Sequence, residues 1–244
     1  MNITDRRRIL GPSNAKSLTF DRSDASVQED QPKNISSGPK NDTMYIENGI
    51  VCNSNGSSYL EVKDRDNVEK RTLLLTSVYG PRPSRGAFNA KASLSVQFKE
   101  VTLEKIPAGE LREVCNFLTN VFNAVIILDR YPKSGIDIFL SLIHSSNGSQ
   151  DYDLETIITA CVNGITLALI DAGIEIFDTV SAGLFEKNVT VFMKNGTEIA
   201  GFWKDDNGSV DEDLLQVIEK CRQHYSQNRK TIIDYVVRSR NGHK

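Results

Sequence analysis

Between Leu111 and Val125 the apolar residues follow one strict helical stripe. Leu111, Val114, Cys115, Leu118, Val121, Phe122 and Val125 recur every three or four positions, which places them on a single helix face that must be buried. The segment before it has another period. In Ala92-Ser93-Leu94-Ser95-Val96-Gln97-Phe98-Lys99 apolar and polar residues alternate, predicting a half-buried strand with Ala92, Leu94, Val96 and Phe98 inward. Ser58–Val62 and Thr72–Tyr79 are further β-rich runs joined by a charged turn. After the helix, Tyr131-Pro132-Lys133-Ser134-Gly135 breaks the pattern and Ile136–Ile143 reads as a strand. Asp153 is placed to cap a second helix that buries Ile157, Ile158, Cys161, Val162, Ile165, Ala168, Leu169 and Ala172 and ends at Gly173. Two strands then pair around Asn195-Gly196. Leu214, Ile218, Cys221, Tyr225 and Ile232 mark a long last helix, with Asp211, Glu212 and Asp213 near its positive end. Strands, helix, strand, helix, hairpin, helix predicts an α/β (α+β layered) domain of mixed sheets packed with helices.

Composition sets the outer bounds. The chain has 244 residues, of which 39% are hydrophobic and 25% charged, ordinary values for a globular core. A formal net charge of −3 exerts no global pull toward nucleic acid, so any RNA contact must come from a local basic patch. Residues 1–43 are polar and poor in apolar side chains, and read as a largely flexible arm whose basic start, Arg6-Arg7-Arg8-Ile9-Leu10-Gly11-Pro12, is a candidate for docking on a partner. Residues 44–240 form the expected domain. The four cysteines, Cys52, Cys115, Cys161 and Cys221, are widely spaced, which argues against zinc and for a reducing compartment. The N-terminus lacks the apolar region of a signal peptide, and no membrane span is expected.

Several blocks carry a family resemblance. They are Gly56-Ser57, Val78-Tyr79-Gly80-Pro81-Arg82-Pro83-Ser84-Arg85-Gly86, the pair Glu110 and Glu113, Arg130–Asp137, Leu167–Gly173 and Val189–Met193. In order and spacing they resemble an RNase PH domain, over roughly residues 45 to 238, and specifically the RNase PH-like ring subunits of the eukaryotic RNA exosome core. The resemblance implies the RNase PH-like fold with ribosomal S5 domain 2-like topology. It also implies a six-membered ring of RNase PH-like subunits around a channel for single-stranded RNA. S1/KH cap subunits, associated nucleases and a helicase are the implied partners, in nucleus, nucleolus and cytoplasm.

The same resemblance argues against chemistry. Phosphorolysis needs fixed donors and arginine forks for phosphate, and carboxylates for protons or metal. Where active members carry a Gly-Gly-Thr-Arg run, alignment puts Glu155, Thr156, Ile157 and Ile158. Where active members place arginines on the first helix stand Asn116, Asn120 and Asn123. A longer segment ending in a carboxylate cluster is replaced by Leu184-Phe185-Glu186-Lys187, between a turn matched by Val180-Ser181-Ala182-Gly183 and a strand matched by Asn188–Val191. Gly201–Asp206 stands where active enzymes show a Gly-Thr-Ala-Glu type sequence. Losing one transition-state stabiliser costs about a hundred- to a thousandfold in rate, so the expectation is no catalytic residue, no metal and no cofactor. The alternatives are an active phosphate-dependent 3′–5′ exoribonuclease and a stand-alone α/β RNA-binding module.

Four cations remain as candidates for RNA or subunit contact. Arg82 and Arg85 lie in a Pro/Gly loop after a strand, and Arg130 and Lys133 flank Tyr131-Pro132 in a turn; a solvated loop is the competing account for each pair. His144, His224 and His243 have no metal-ligand spacing and read as structural or solvated. Asp205-Asp206 with Asp211–Asp213 reads as a solvated loop and helix-start charge rather than a cation site. Trp203, the single tryptophan, reads as core or interface filling rather than a base-stacking platform.

Overall fold

A computed structural model of the chain describes residues 43–63, 70–85, 87–101, 106–146, 152–204 and 214–241. The arm with its basic start, the aspartates at 205–206, the acidic residues at 211–213, Gly86 and His243 lie outside the described residues.

Five strands make the first sheet: β1 (Thr43–Asn48), β2 (Gly56–Lys63), β3 (Arg71–Pro83), β4 (Ser93–Val101) and β5 (Ser134–Ser146), in the order β1-β2-β3-β5-β4. All pairs are antiparallel except β4 with β5. A parallel pair needs a crossover, and α1 (Ala108–Val125) supplies it. The helix stripe is as the sequence predicts, with Val114, Leu118, Val121, Phe122 and Val125 buried. α2 (Leu154–Asp171) follows β5, and Asp153 caps it by accepting from the Thr156 N–H at 3.3 Å. Gly173 then takes a φ of +67°, the left-handed conformation that closes a helix. A second sheet, β6 (Ser181–Phe185), β7 (Asn188–Met193) and β8 (Glu198–Lys204), is an antiparallel meander. α3 (Leu214–Asn241) ends the described chain.

The layers run large sheet, α1 with α2, small sheet, α3. α2 is the centre. By length and composition it is apolar enough to cross a membrane, yet 78% of it is buried inside the fold. It packs on β2 and β3 on one side and on β6 and β7 on the other. Asn163 fixes its position: its Oδ1 accepts from the Ser181 hydroxyl at 2.7 Å and the Ala182 N–H at 3.2 Å. Between the small sheet and α3 lies a second core of Phe192, Val217, Cys221 and Tyr225.

The structure corrects several expectations. Ser181–Gly183, matched to a turn with Val180, is strand. Its glycine serves packing: a Cβ at Gly183 would collide with the Cys221 carbonyl of α3. The small sheet therefore has three strands where the sequence suggested one hairpin. β1 was not anticipated; in it only Ile46 is buried. The stripe of α3 begins at Val217, while Leu214 is 53% exposed. β3 runs through Gly80-Pro81 to Pro83, so Arg82 is in the strand and only Arg85 lies beyond it. Pairing skips from Tyr79–Asp137 to Arg82–Gly135, and the absence of a side chain at Gly80, where a Cβ would strike the Gly135 carbonyl, lets the backbones approach.

Two outcomes follow from this packing. Gly183→Ala is expected to destabilise the chain by about 3 kcal/mol or more, since β6 and α3 must separate to admit a methyl group; a chemical denaturation midpoint within error of wild type would contradict the close approach. His224 on α3 accepts the Leu184 N–H through Nδ1 at 3.0 Å. Burial, which disfavours the charged ring, lowers its pKa below the ordinary 6.5. Below that ordinary value the unfolded chain holds a proton that the folded one does not, so stability should fall as the pH drops through 6.5 toward the folded pKa. His224→Gln should flatten that slope in melts at stepped pH.

Candidate RNA and subunit interface

The four candidate cations come together at one end of the large sheet. Arg82 closes β3 opposite Gly135, the second residue of β5. Arg130 ends a 3₁₀ turn, Leu128–Arg130, and Lys133 immediately precedes β5 with a φ of +53°. The loop after β3 is zipped onto that turn by backbone bonds. Ser84 N–H donates to the Lys133 carbonyl at 3.0 Å, Lys133 N–H to the Asn89 carbonyl at 2.8 Å, and Ala92 N–H to the Leu128 carbonyl at 3.1 Å. Ser134 secures the turn from inside by donating its hydroxyl to the Tyr131 carbonyl at 2.6 Å. These bonds tie Ser84, Asn89 and Ala92 to the turn that carries Arg130 and Lys133.

The charges differ in what they face. The Arg130 Nε meets Glu175 at 3.3 Å, and Lys91 meets Asp129 at 3.3 Å, both pairs well exposed and worth little in stability. Arg82 lies over the Tyr79 ring, 4.8 Å from its centroid, and Tyr79 in turn stacks edge-on against Phe139. Arg82, Arg85 and Lys133 make no ion pair with the described residues. They are the charges open to a partner.

Two members of this surface were missed in the sequence. Phe88 sits in the same loop at 74% exposure, and Lys91 ends it. The spacing Arg82, Arg85, Phe88, Lys91, one every three residues, was the available signal. Exposed Phe177 (61%) follows the segment tied to this end of the molecule by Glu175 N–H donating to the Tyr131 hydroxyl at 2.9 Å. Basic groups interleaved with exposed aromatic rings suit a single-stranded nucleic acid, whose backbone is anionic and whose bases stack.

The aligned phosphate-site positions have another character. Ile157 and Ile158 are fully buried, and Glu155 is 8% exposed. Thr156 spends its N–H and its hydroxyl on Asp153, the latter at 2.9 Å. The start of α2 is thus closed by a carboxylate. Tyr152 bridges to α1, donating to Glu110 at 2.7 Å. Asn116, Asn120 and Asn123 lie exposed along α1. β6 and β7 are joined by Glu186 and Lys187 alone. Among the described residues no three His, Cys, Asp or Glu side chains group to hold a metal ion. Trp203 is half-buried and meets Phe117 edge-on at 5.4 Å, tying β8 to α1.

Residues 42–175 match the 3′ exoribonuclease family, domain 1, known as RNase PH. The chain belongs to the RNase PH family. It is 31% identical over 201 residues to the exosome complex component MTR3 of Chaetomium thermophilum, covering 75% of this chain and 70% of that one. Within the family the sequence also reads as most like the fungal ring subunit named for messenger-RNA transport regulation, in line with that match. It is 27% identical over 220 residues to the exosome complex component RRP41 of Bos taurus, covering 78% and 83%. The solved structure of rice Rrp46 shares the fold with a TM-score of 0.61 at 20% identity, covering 78% of this chain and 92% of that one. The RNase PH assignment agrees with the α/β fold of mixed sheets and helices read from the sequence.

Replacing both Arg82 and Arg85 by alanine should lower stability by less than about 1 kcal/mol, the scale of an exposed cation–π contact. A fall in denaturation free energy well beyond this would mean that the loop is part of the folding core.

Proposed function

We propose that this RNase PH chain is a non-catalytic subunit of the RNA exosome core ring, supporting 3′–5′ processing and degradation of ribosomal, messenger and non-coding RNA. The observation that carries the reading is the family membership together with relatives named as exosome complex components over more than two thirds of their length. Its partners are then other RNase PH-like subunits in a six-membered ring, S1/KH cap subunits, and associated nucleases and helicase. Its places of work are nucleus, nucleolus and cytoplasm.

The lack of catalysis is supported by three features at once. Isoleucines stand buried where phosphate binding is required, a carboxylate caps the adjoining helix, and a two-residue turn joins the strands where active members carry their acidic segment. An anion brought to the start of α2 would meet Asp153 and Glu155, which repel it. Arg82, Arg85, Arg130 and Lys133 serve RNA or a neighbouring subunit, from a domain spanning residues 44–240, with the arm 1–43 as an additional docking element.

Purification of the tagged chain from cells should recover RNase PH-like and S1-domain proteins in equal amounts; recovery as a lone monomer would defeat the ring reading. The purified chain should release no nucleoside diphosphate from single-stranded RNA and phosphate, with or without magnesium. Ile158→Arg should leave it inactive, since the carboxylate segment is still missing. In the assembly, the Arg82→Ala/Arg85→Ala variant should flatten the salt dependence of RNA binding by about one unit of slope per lost phosphate contact. An unchanged slope with normal assembly would leave both arginines as solvated side chains.

A further inference from the structure

Away from the basic end of the sheet, α3 and the β7–β8 turn flank a solvent-open cavity of about 300 Å³, lined by Asn195, Tyr225, Arg229, Lys230, Ile233 and Asp234 together with Ser226. The walls are fixed. Asn195 and Gly196 hold φ values of +59° and +84°. Asp178 ties the turn to the helix: its Oδ2 accepts the Lys194 N–H at 2.7 Å and its Oδ1 meets an Arg229 nitrogen at 3.4 Å.

The cavity is bordered by donors that lack acceptors. Tyr225 is 2% exposed, and neither its hydroxyl nor the buried Nε of Arg229 makes a hydrogen bond meeting ordinary geometry. Burial raises the Tyr225 phenol above its ordinary pKa, outweighing the nearby Arg229, so it stays an O–H donor at neutral pH. Buried polar groups in native proteins are nearly always paired, and two unpaired donors on one cavity call for an acceptor from outside.

The charges select the acceptor. Lys230, with the Arg229 Nε that its contact with Asp178 leaves unpaired, favours a single anion, while Asp178 and Asp234 disfavour a chain of repeated phosphates. Beyond the cavity, Ile233 and exposed Val237 continue the same side of α3 at four-residue spacing. We infer that the cavity is a docking site for one carboxylate of a protein partner, an Asp or Glu side chain flanked by an aliphatic residue. Tyr225, Arg229 and Lys230 supply the donors, and Ile233 with Val237 seats the aliphatic neighbour. The site requires a protein neighbour but not the ring in particular.

The test uses the full chain, free and in its purified assembly, with a fluorescent, end-blocked hexapeptide Gly-Ser-Ile-Glu-Ile-Gly and its Gln counterpart. The Glu peptide should bind about tenfold more tightly, the scale of one charge-assisted hydrogen bond. Lys230→Gln, an exposed change that spares the fold, should remove most of that preference. Arg229→Gln should do the same, provided that its circular dichroism is native. Binding to the free chain that disappears in the assembly also supports the proposal, because a neighbour then fills the cavity. Equal affinity for both peptides, no binding of either up to millimolar concentration, or displacement of the Glu peptide by oligouridylate would overturn it, the last in favour of RNA. None of these outcomes bears on whether the ring forms.

Discussion

The burial of α2 between two sheets is the constraint on which the rest of the chain depends. A helix covered on both sides has no face left for charge, and its sequence shows none from Thr156 to Ile170. Close approach then has to be arranged from both directions. A Cβ at Gly56 would strike the backbone of Ala172, and one at Gly164 would crowd Thr76. On the other side Asn163 satisfies the buried start of β6 by accepting from Ser181 and Ala182. Packing and hydrogen bonding act at the same contact: helix and strand can sit this close because side chains are absent where backbones meet, and a polar side chain is present where a strand begins.

Much of this was legible in the sequence, and the misses share a cause. The stripes of α1 and α2, the alternation in β4, the Asp153 cap and the left-handed Gly173 all express local rules, which operate within one element. β6 was misread because the resemblance matched Val180–Gly183 to a turn, whereas Gly183 answers to a close approach of Cys221, distant in sequence. β1 was missed because an edge strand buries little, and its alternation spans six residues with one core side chain. Leu214 marks the start of α3 as the spacing indicates, but the second core begins only at Val217.

The same distinction governs the candidate interface. That Arg82 and Arg85 were exposed was readable from Pro and Gly around them. That they share an end of the sheet with Arg130 and Lys133 was not, because it depends on β3 pairing with β5 across a shifted register. Sequence spacing identified the charges, and topology made them a patch. The aligned phosphate site shows the reverse: Ile157 and Ile158 were recognisable as apolar intruders from the alignment, and the fold gives them an ordinary role in the core.

The composition of α2 has a consequence for how the chain is made. During synthesis β2 and β3 emerge before it, and β6 and β7 emerge after it. For an interval one side of an 18-residue helix with the hydropathy of a membrane span is uncovered at the ribosome, until roughly another twenty residues have left the exit tunnel. Translation at about 5–20 residues per second makes that interval a second or a few. A short β6–β7 turn shortens it, since each residue removed between α2 and its covering strands brings the cover sooner.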